Sequence, residues 1–103
     1  MIKGGKNTPL TEKVNFKSML QRGNRIQVPE LIRCQFKIET NQMLNVGVND
    51  LNTQSGWQFF YAKMQKDGRI LIPLLIIKLL KEDESDITGH ILEATIEPGQ
   101  TTQ

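Results

Sequence analysis

The sequence predicts a mainly β domain with short helices, built from two copies of one unit. Three observations predict it. The segment QRGNRIQVP at residues 21–29 returns 44 positions later as QKDGRILIP at residues 65–73. An alternating apolar stretch precedes each copy, as in a strand, and a proline followed by apolar residues at helical spacing ends it, as at the start of a helix. Since one such unit cannot bury its apolar face alone, we expect the two copies to share one core.

The first unit spans residues 14–50 and follows a flexible N-terminal arm at residues 1–13, which is rich in Gly and Lys. Its predicted elements are a strand at 14–21, a turn at 22–24, a strand at 25–28, a helix from Pro29 to about Lys37, and a closing strand at 43–48. Alternation puts Phe16 on the apolar side of the first strand.

The second unit spans residues 57–97, after a polar linker at 51–56. Its predicted elements are a strand at 57–65, a turn at 66–68, a strand at 69–72, a helix at 73–80, a last strand at 87–96, and then a polar tail at 98–103. Trp57, Phe59 and Tyr61 alternate with Phe60. Aromatic residues on a strand belong more often to the core and its rim than to a base-stacking surface, so we expect the former.

Composition limits the classes of protein to which the chain can belong. Its 103 residues suffice for one domain, and no apolar run approaches the roughly 18 residues of a membrane span. The N-terminal segment lacks the apolar region of a secretion signal, so we expect a cytoplasmic protein that does not bind membranes. The chain has one cysteine, Cys34, and one histidine, His90. We interpret Cys34 as a core or boundary residue and His90 as a structural or surface residue. We therefore expect no metal site, no cofactor and, without a nucleophile paired with a base, no enzymatic activity.

Positive charge is concentrated in the first half of the chain. Residues 1–52 carry eight Lys or Arg and four Asp or Glu, whereas residues 53–103 carry five and seven. A twofold relation between the units would bring their turns side by side, and four basic residues would then converge on neighbouring phosphates. These residues are Arg22, Arg25, Lys66 and Arg69. Basic residues near turns are otherwise ordinary solvated charges, but the recurrence of Arg25 as Arg69 favours a function.

The order of turn, Gly-Arg-(Ile/Val)-x-(Ile/Val)-Pro, short helix, polar turn and closing strand resembles the AbrB/MazE/SpoVT family of swapped-hairpin barrel DNA-binding domains. The resemblance covers residues 16–50 and 60–96. The first unit departs from it where Asn24 separates Gly23 from Arg25, and the second departs at Glu82. In that family two units, normally on separate subunits, interleave into one closed barrel. The resemblance implies one AbrB-like barrel formed by the two tandem repeats of this chain; the alternative is two chains that pair like units.

The resemblance also implies contacts to double-stranded DNA through basic residues beside the turns, in the helices and in the first strands. Carried over by position, these are the turn arginines Arg25 and Arg69 and the helix residues Arg33 and Lys78. The basic position of the first strand falls on Ser18 and Ala62, and Lys17 and Lys63 lie next to it. One basic residue of each helix pair is missing: the second of the pair at Cys34 in the first unit, and the first of the pair at Ile77 in the second unit.

The sequence therefore predicts a DNA-binding protein, either an AbrB-like transcriptional regulator or a nucleoid-associated protein. One alternative is an antitoxin-type module, although the residues after the last strand are too few to wrap a toxin. Another is an adaptor barrel that binds proteins and has lost DNA binding, which the acidic second half favours. Residues 73–80 are apolar all round, which suggests self-association through that helix.

Overall fold

The computed structural model describes residues 13–53, 55–81 and 86–99, which form a mainly β fold with two short helices, as predicted. The elements are β1 (Val14–Met19), β2 (Arg25–Gln27), α1 (Glu30–Phe36), β3 (Met43–Asp50), β4 (Gln58–Lys63), β5 (Arg69–Leu71), α2 (Leu74–Lys81) and β6 (Ile91–Pro98). Apart from Lys13, the predicted N-terminal arm lies outside the described residues, as does the predicted tail after Gly99. No described helix is long and apolar enough to cross a membrane.

The strands form two antiparallel sheets, and every pairing joins the first half of the chain to the second. The larger sheet has the order β1-β6-β3-β4, and the smaller is the two-stranded β2/β5 ribbon. Because β1 pairs with β6 and β4 with β3, the described part of neither half contains a sheet of its own beyond a single bridge between Gln21 and Arg25. The two halves are thus interleaved by backbone hydrogen bonds.

Hydrogen bonds at the turns connect the ribbon to the larger sheet. The N–H of Gln21 donates to the carbonyl of Arg25 at 2.8 Å, and the N–H of Gln65 donates to that of Arg69 at 2.8 Å. These bonds tie the end of β1 to β2 and the end of β4 to β5. The ribbon is therefore held at both edges of the four-stranded sheet.

The core lies between the ribbon and the four-stranded sheet and is almost entirely apolar. Alternate residues of each strand face it, and β1 and β4 have the same succession of exposed and buried positions. The fully buried side chains include Leu20, Ile26, Leu44, Val46, Val48, Ile70, Leu80, Leu92 and Ile96. Burial of these side chains is the main source of stability, at about 25 cal/mol for each Å² of apolar surface removed from water.

The helices begin after prolines, as predicted, and both are short. Pro29 precedes α1 with φ −57° and ψ 142°, and α1 ends where Lys37 adopts a left-handed conformation with φ 53°. The N–H of Lys37 donates to carbonyls of the last turn, which satisfies part of the helix end. Cys34 is exposed, so its interpretation as a core or boundary residue is wrong.

The last strand begins four residues later than predicted. Alternation favoured a start at Ile87, but Ile87 is buried ahead of a turn and the strand starts at Ile91. The carboxylate of Asp86 accepts the N–H of Thr88 at 2.9 Å, and Gly89 has φ +95°. A left-handed glycine interrupts the extended backbone, and apolar alternation alone does not reveal that interruption.

Candidate nucleic-acid interface

The β2/β5 ribbon presents two arginines on one solvent-facing surface. Ile26 and Ile70 are paired at its centre and fully buried. Since successive residues of a strand point to opposite sides, Arg25 and Arg69 both project away from the core. Arg25 is paired with Leu71, and Arg69 is two residues away along β5. The Cα atoms of the two arginines are therefore diagonal neighbours, roughly 7–8 Å apart.

The first turn, residues 22–24, holds Arg25 close to its own backbone. Gly23 has φ +86° and Asn24 has φ 62°, positive values that glycine and asparagine tolerate in a tight turn. A methyl group at Gly23 would touch the Arg25 guanidinium at 3.4 Å, so this side chain lies across the turn. Arg22 is exposed on the same turn.

The second turn, residues 66–68, partly neutralises its arginine. The Asp67 carboxylate accepts the backbone N–H of Arg69 at 3.1 Å and lies 3.5 Å from the Arg69 guanidinium. The Arg69 Nε is buried and has no hydrogen-bond partner among the residues that the structure describes. Lys66 is exposed beside them. The positive charge at this end of the ribbon is thus reduced by one carboxylate.

Arg33 reaches from α1 to the turn of the other half. Its Nε donates to the carbonyl of Val28 at 3.1 Å, and a methyl group at Gly68 would lie 2.6 Å from that Nε. Gln27 contacts the same turn, since its Nε2 donates to the carbonyl of Asp67 at 2.8 Å. The second turn therefore gains a cation from the first half of the chain. Ile77, which lies 44 positions after Arg33 in the sequence, is apolar and buried.

The two turns lie at opposite ends of the ribbon, so their predicted side-by-side arrangement is wrong. The N–H of Val28 donates to the carbonyl of Gly68, and that of Ile72 donates to the carbonyl of Asn24. Gly68 thus lies opposite Val28, which is four residues after Asn24, so Asn24 and Gly68 are about 13 Å apart along the strands. The reason is that β2 and β5 pair in antiparallel directions. The two arginines are closer to each other than the two turns are, because Arg25 and Arg69 are the first residues of their strands and lie only two residues apart along the ribbon.

The predicted site residues fall on three surfaces. The structure brings five of them to the ribbon and its turns: Arg22, Arg25, Arg33, Lys66 and Arg69. Lys17 and Lys63 project from the outer face of the four-stranded sheet, opposite Glu93 and Met43. Lys78 lies on the exposed side of α2. Sequence reasoning missed Gln27, although period-two alternation puts it on the face of Arg25.

Within the described ranges, other candidate chemistry is confined to one partly buried pair, His90 and Asp50. Nδ1 of His90 lies 2.8 Å from the fully buried carboxylate of Asp50, which also accepts the N–H of Asn52 at 2.8 Å. This contact fixes the end of β3 against the turn before β6, consistent with the structural role expected for His90. Among the described residues, no group of three His, Cys, Asp or Glu side chains could hold a metal ion.

Comparisons with known proteins support the fold alone. No family model and no curated protein matches the chain. Among solved structures, the chain is similar to the solution structure of PHS018 from Pyrococcus horikoshii, with a TM-score of 0.71 and 17% sequence identity. The likeness covers 86% of this chain and 94% of that one.

Proposed function

We propose that this chain binds double-stranded DNA by laying the β2/β5 ribbon in the major groove, with Arg25 and Arg69 as the principal contacts. The observation that carries the proposal is the projection of both arginines from the solvent-facing side of a two-stranded antiparallel ribbon. The major groove, about 12 Å wide, admits such a ribbon, and an arginine can donate two hydrogen bonds to a guanine edge. A transcriptional regulator or a nucleoid-associated protein would use this surface.

The proposed architecture is a swapped-hairpin barrel in which the two repeats form a pseudo-dimer. Its support is that all strand pairings in the two sheets join one half to the other, and that the ribbon is bonded at both edges of the larger sheet. Closure of this kind leaves few unpaired sheet edges. It also explains why the arginines occur in a related pair.

The flanking cations add affinity for DNA that does not depend on the DNA base sequence. Arg22 belongs to one turn, and Lys66 and Arg33 lie at the other, about 13 Å away along the ribbon. Phosphate contacts from such residues position a protein on the duplex while the central side chains read the bases. Asp67 opposes this effect at the second turn, so we expect Arg25 to contribute more than Arg69.

The test is a titration of a labelled mixed-sequence duplex, followed by fluorescence anisotropy. We expect the Arg25→Ala/Arg69→Ala variant to bind at least about tenfold more weakly than the unmodified protein. The matched control is Lys17→Ala/Lys63→Ala, which removes the same charge from the outer face of the sheet and changes affinity by less than about threefold. An equal loss in both variants would mean that net charge, rather than the ribbon, drives binding.

A protein-binding adaptor is the second candidate, and exposed leucines favour it. Leu31 in α1 and Leu75 in α2 are 75% and 67% exposed at equivalent positions of the two halves, and Leu74 and Leu79 extend the apolar surface of α2. Exposed apolar patches of this kind mark surfaces for protein partners or for self-association. Absence of duplex binding by the unmodified protein would leave this candidate in place of the first.

A further inference from the structure

The outer face of the four-stranded sheet carries an exposed aromatic strip. Trp57, Phe59 and Tyr61 are 38%, 53% and 63% exposed, whereas Phe60 between them is in the core. The expectation that these rings belong to the core and its rim is therefore wrong for Phe59 and Tyr61. The rings of Trp57 and Phe59 are nearly parallel, with an interplanar angle of 20° and centroids 6.2 Å apart.

A recess lies beside this strip, and the Phe59 ring that lines it packs over Gly47. Gly47 of β3 is paired with Phe59 of β4 and Thr95 of β6. A methyl group at Gly47 would lie 2.6 Å from both the Phe59 ring and the Thr95 hydroxyl, so any side chain there would displace the ring. The recess has a volume of about 310 Å³, near the lower end of the range for small-ligand sites.

The polar groups in the recess are available to a ligand. Its lining comprises Lys13, Asn15, Trp57, Phe59 and Thr95. Thr95 is only 7% exposed, yet its hydroxyl makes no hydrogen bond with any described residue, and the same is true of the Asn15 carboxamide. Both groups are open to solvent in the recess, so a ligand there can form hydrogen bonds with them.

We propose that this recess binds an unpaired nucleobase, carried either by a free nucleotide or by a single-stranded nucleic acid. A base presents an aromatic face to Phe59 and Trp57 and a polar edge to Thr95 and Asn15. Lys13 supplies a cation for the attached phosphate. Glu93 and Glu97 also lie on this face of β6 and accept hydrogen bonds from Asn49 at 3.5 Å and Asn45 at 2.9 Å. These neutral donors do not cancel the charge of the carboxylates, so the phosphate is expected at Lys13 and away from β6.

This site goes beyond the proposed function because it uses a different surface and a different form of nucleic acid. Bases in a duplex are stacked and paired, so their faces cannot lie against Phe59. The ribbon residues Arg25 and Arg69 are absent from the lining of the recess. The two proposals therefore stand or fall separately.

Fluorescence tests the proposal directly, because Trp57 is the only tryptophan in the chain. The probes are thymidine monophosphate and an oligothymidylate of about 12 nucleotides, a length within the usual site size for single strands. We expect saturable quenching of Trp57. Quenching by the oligonucleotide alone assigns the base to a single strand, and equal affinity for the mononucleotide assigns it to a free nucleotide; either result supports the site.

Variants connect the signal to the recess. We expect Phe59→Ala to weaken binding roughly 5- to 150-fold, the range for loss of one base–aromatic stack. Thr95→Val keeps the shape of the side chain, removes its hydroxyl and weakens binding roughly 2- to 10-fold. Circular dichroism establishes that each variant is folded. The control, Arg25→Ala/Arg69→Ala, keeps the quenching even if it loses duplex binding.

Three results would overturn the proposal. The first is no saturable quenching by either probe. The second is quenching that persists in both Phe59→Ala and Thr95→Val, or that disappears in Arg25→Ala/Arg69→Ala. The third is a dimer in sedimentation experiments that Phe59→Ala dissociates, because the aromatic strip would then be covered by a second copy of the chain.

Discussion

Replacing Gly68 with alanine tests how the two halves of the chain are joined at the ribbon. Gly23 is the matched control, because both glycines have φ +86° and occupy the turn before an arginine-bearing strand. They differ in their surroundings. A methyl group at Gly68 would lie 2.6 Å from Arg33 Nε and 2.7 Å from Gln27 Nε2, whereas one at Gly23 would meet only the Arg25 guanidinium, at 3.4 Å or more.

The expected magnitudes follow from these contacts. A left-handed conformation costs an alanine about 1–2 kcal/mol at either position. At Gly68 the methyl group also displaces two flexible side chains, which lose the bond from Arg33 to the Val28 carbonyl and the bond from Gln27 to the Asp67 carbonyl. Each bond contributes about 0.5–1.5 kcal/mol. Gly68→Ala should therefore destabilise the protein by about 1–3 kcal/mol more than Gly23→Ala does.

The assay is urea unfolding followed by far-ultraviolet circular dichroism, with free energies of unfolding obtained by linear extrapolation. A double-mutant cycle with Arg33→Ala isolates the contact between α1 and the second turn. In the Arg33→Ala background, the extra cost of Gly68→Ala should fall by about 0.5–1.5 kcal/mol. Equal destabilisation by Gly23→Ala and Gly68→Ala would refute the inference that Arg33 and Gln27 hold the second turn.

Three further predictions concern the body of the fold. Asp50→Ala removes the buried carboxylate that anchors the turn before β6 and should cost roughly 2–4 kcal/mol in urea unfolding; a loss below about 0.5 kcal/mol would contradict this role. Leu80→Ala should cost about 2–5 kcal/mol because Leu80 is fully buried, while Leu79→Ala, at 46% exposure, should cost less than about 1 kcal/mol. Hydrogen bonds from the Thr88 backbone and hydroxyl lower the pKa of the Asp86 carboxyl below its ordinary 3.8. The stability that this carboxylate contributes is therefore present above pH 3.8 and is lost as the pH falls through the lower pKa of the folded state. In acid unfolding, Asp86→Asn should lose less stability over this pH range than the unmodified protein, and an unchanged loss would contradict the assignment.

Local sequence patterns predicted where the helices and strands lie better than they predicted which strands pair with each other. Pro29 and Pro73 mark the helix starts, and alternation marks the strands, because both signals depend only on neighbouring residues. The pairing of β1 with β6 depends on residues about 80 positions apart, which periodicity does not encode. The contact between Arg33 and the turn at Gly68 has the same origin: it exists only once the halves have interleaved.

Alternation also left open which side of β4 faces the core. Both sides of this strand are partly aromatic, so the pattern is compatible with either orientation. The pairing of Phe60 with Val46 turns Phe60 inward and leaves Phe59 and Tyr61 on the outer face. The missing signal was the glycine at position 47, which lets the Phe59 ring lie over β3.

The salt dependence of duplex binding tests the central claim most directly. Five cations at the ribbon and its turns, if each neutralises one phosphate, predict that log K falls with log salt at a slope of about −4 to −5. The Arg25→Ala/Arg69→Ala variant should have a slope shallower by about 1.8, while Lys17→Ala/Lys63→Ala should keep the original value. A slope near zero for the unmodified protein, or the same slope in both variants, would contradict a DNA-binding ribbon.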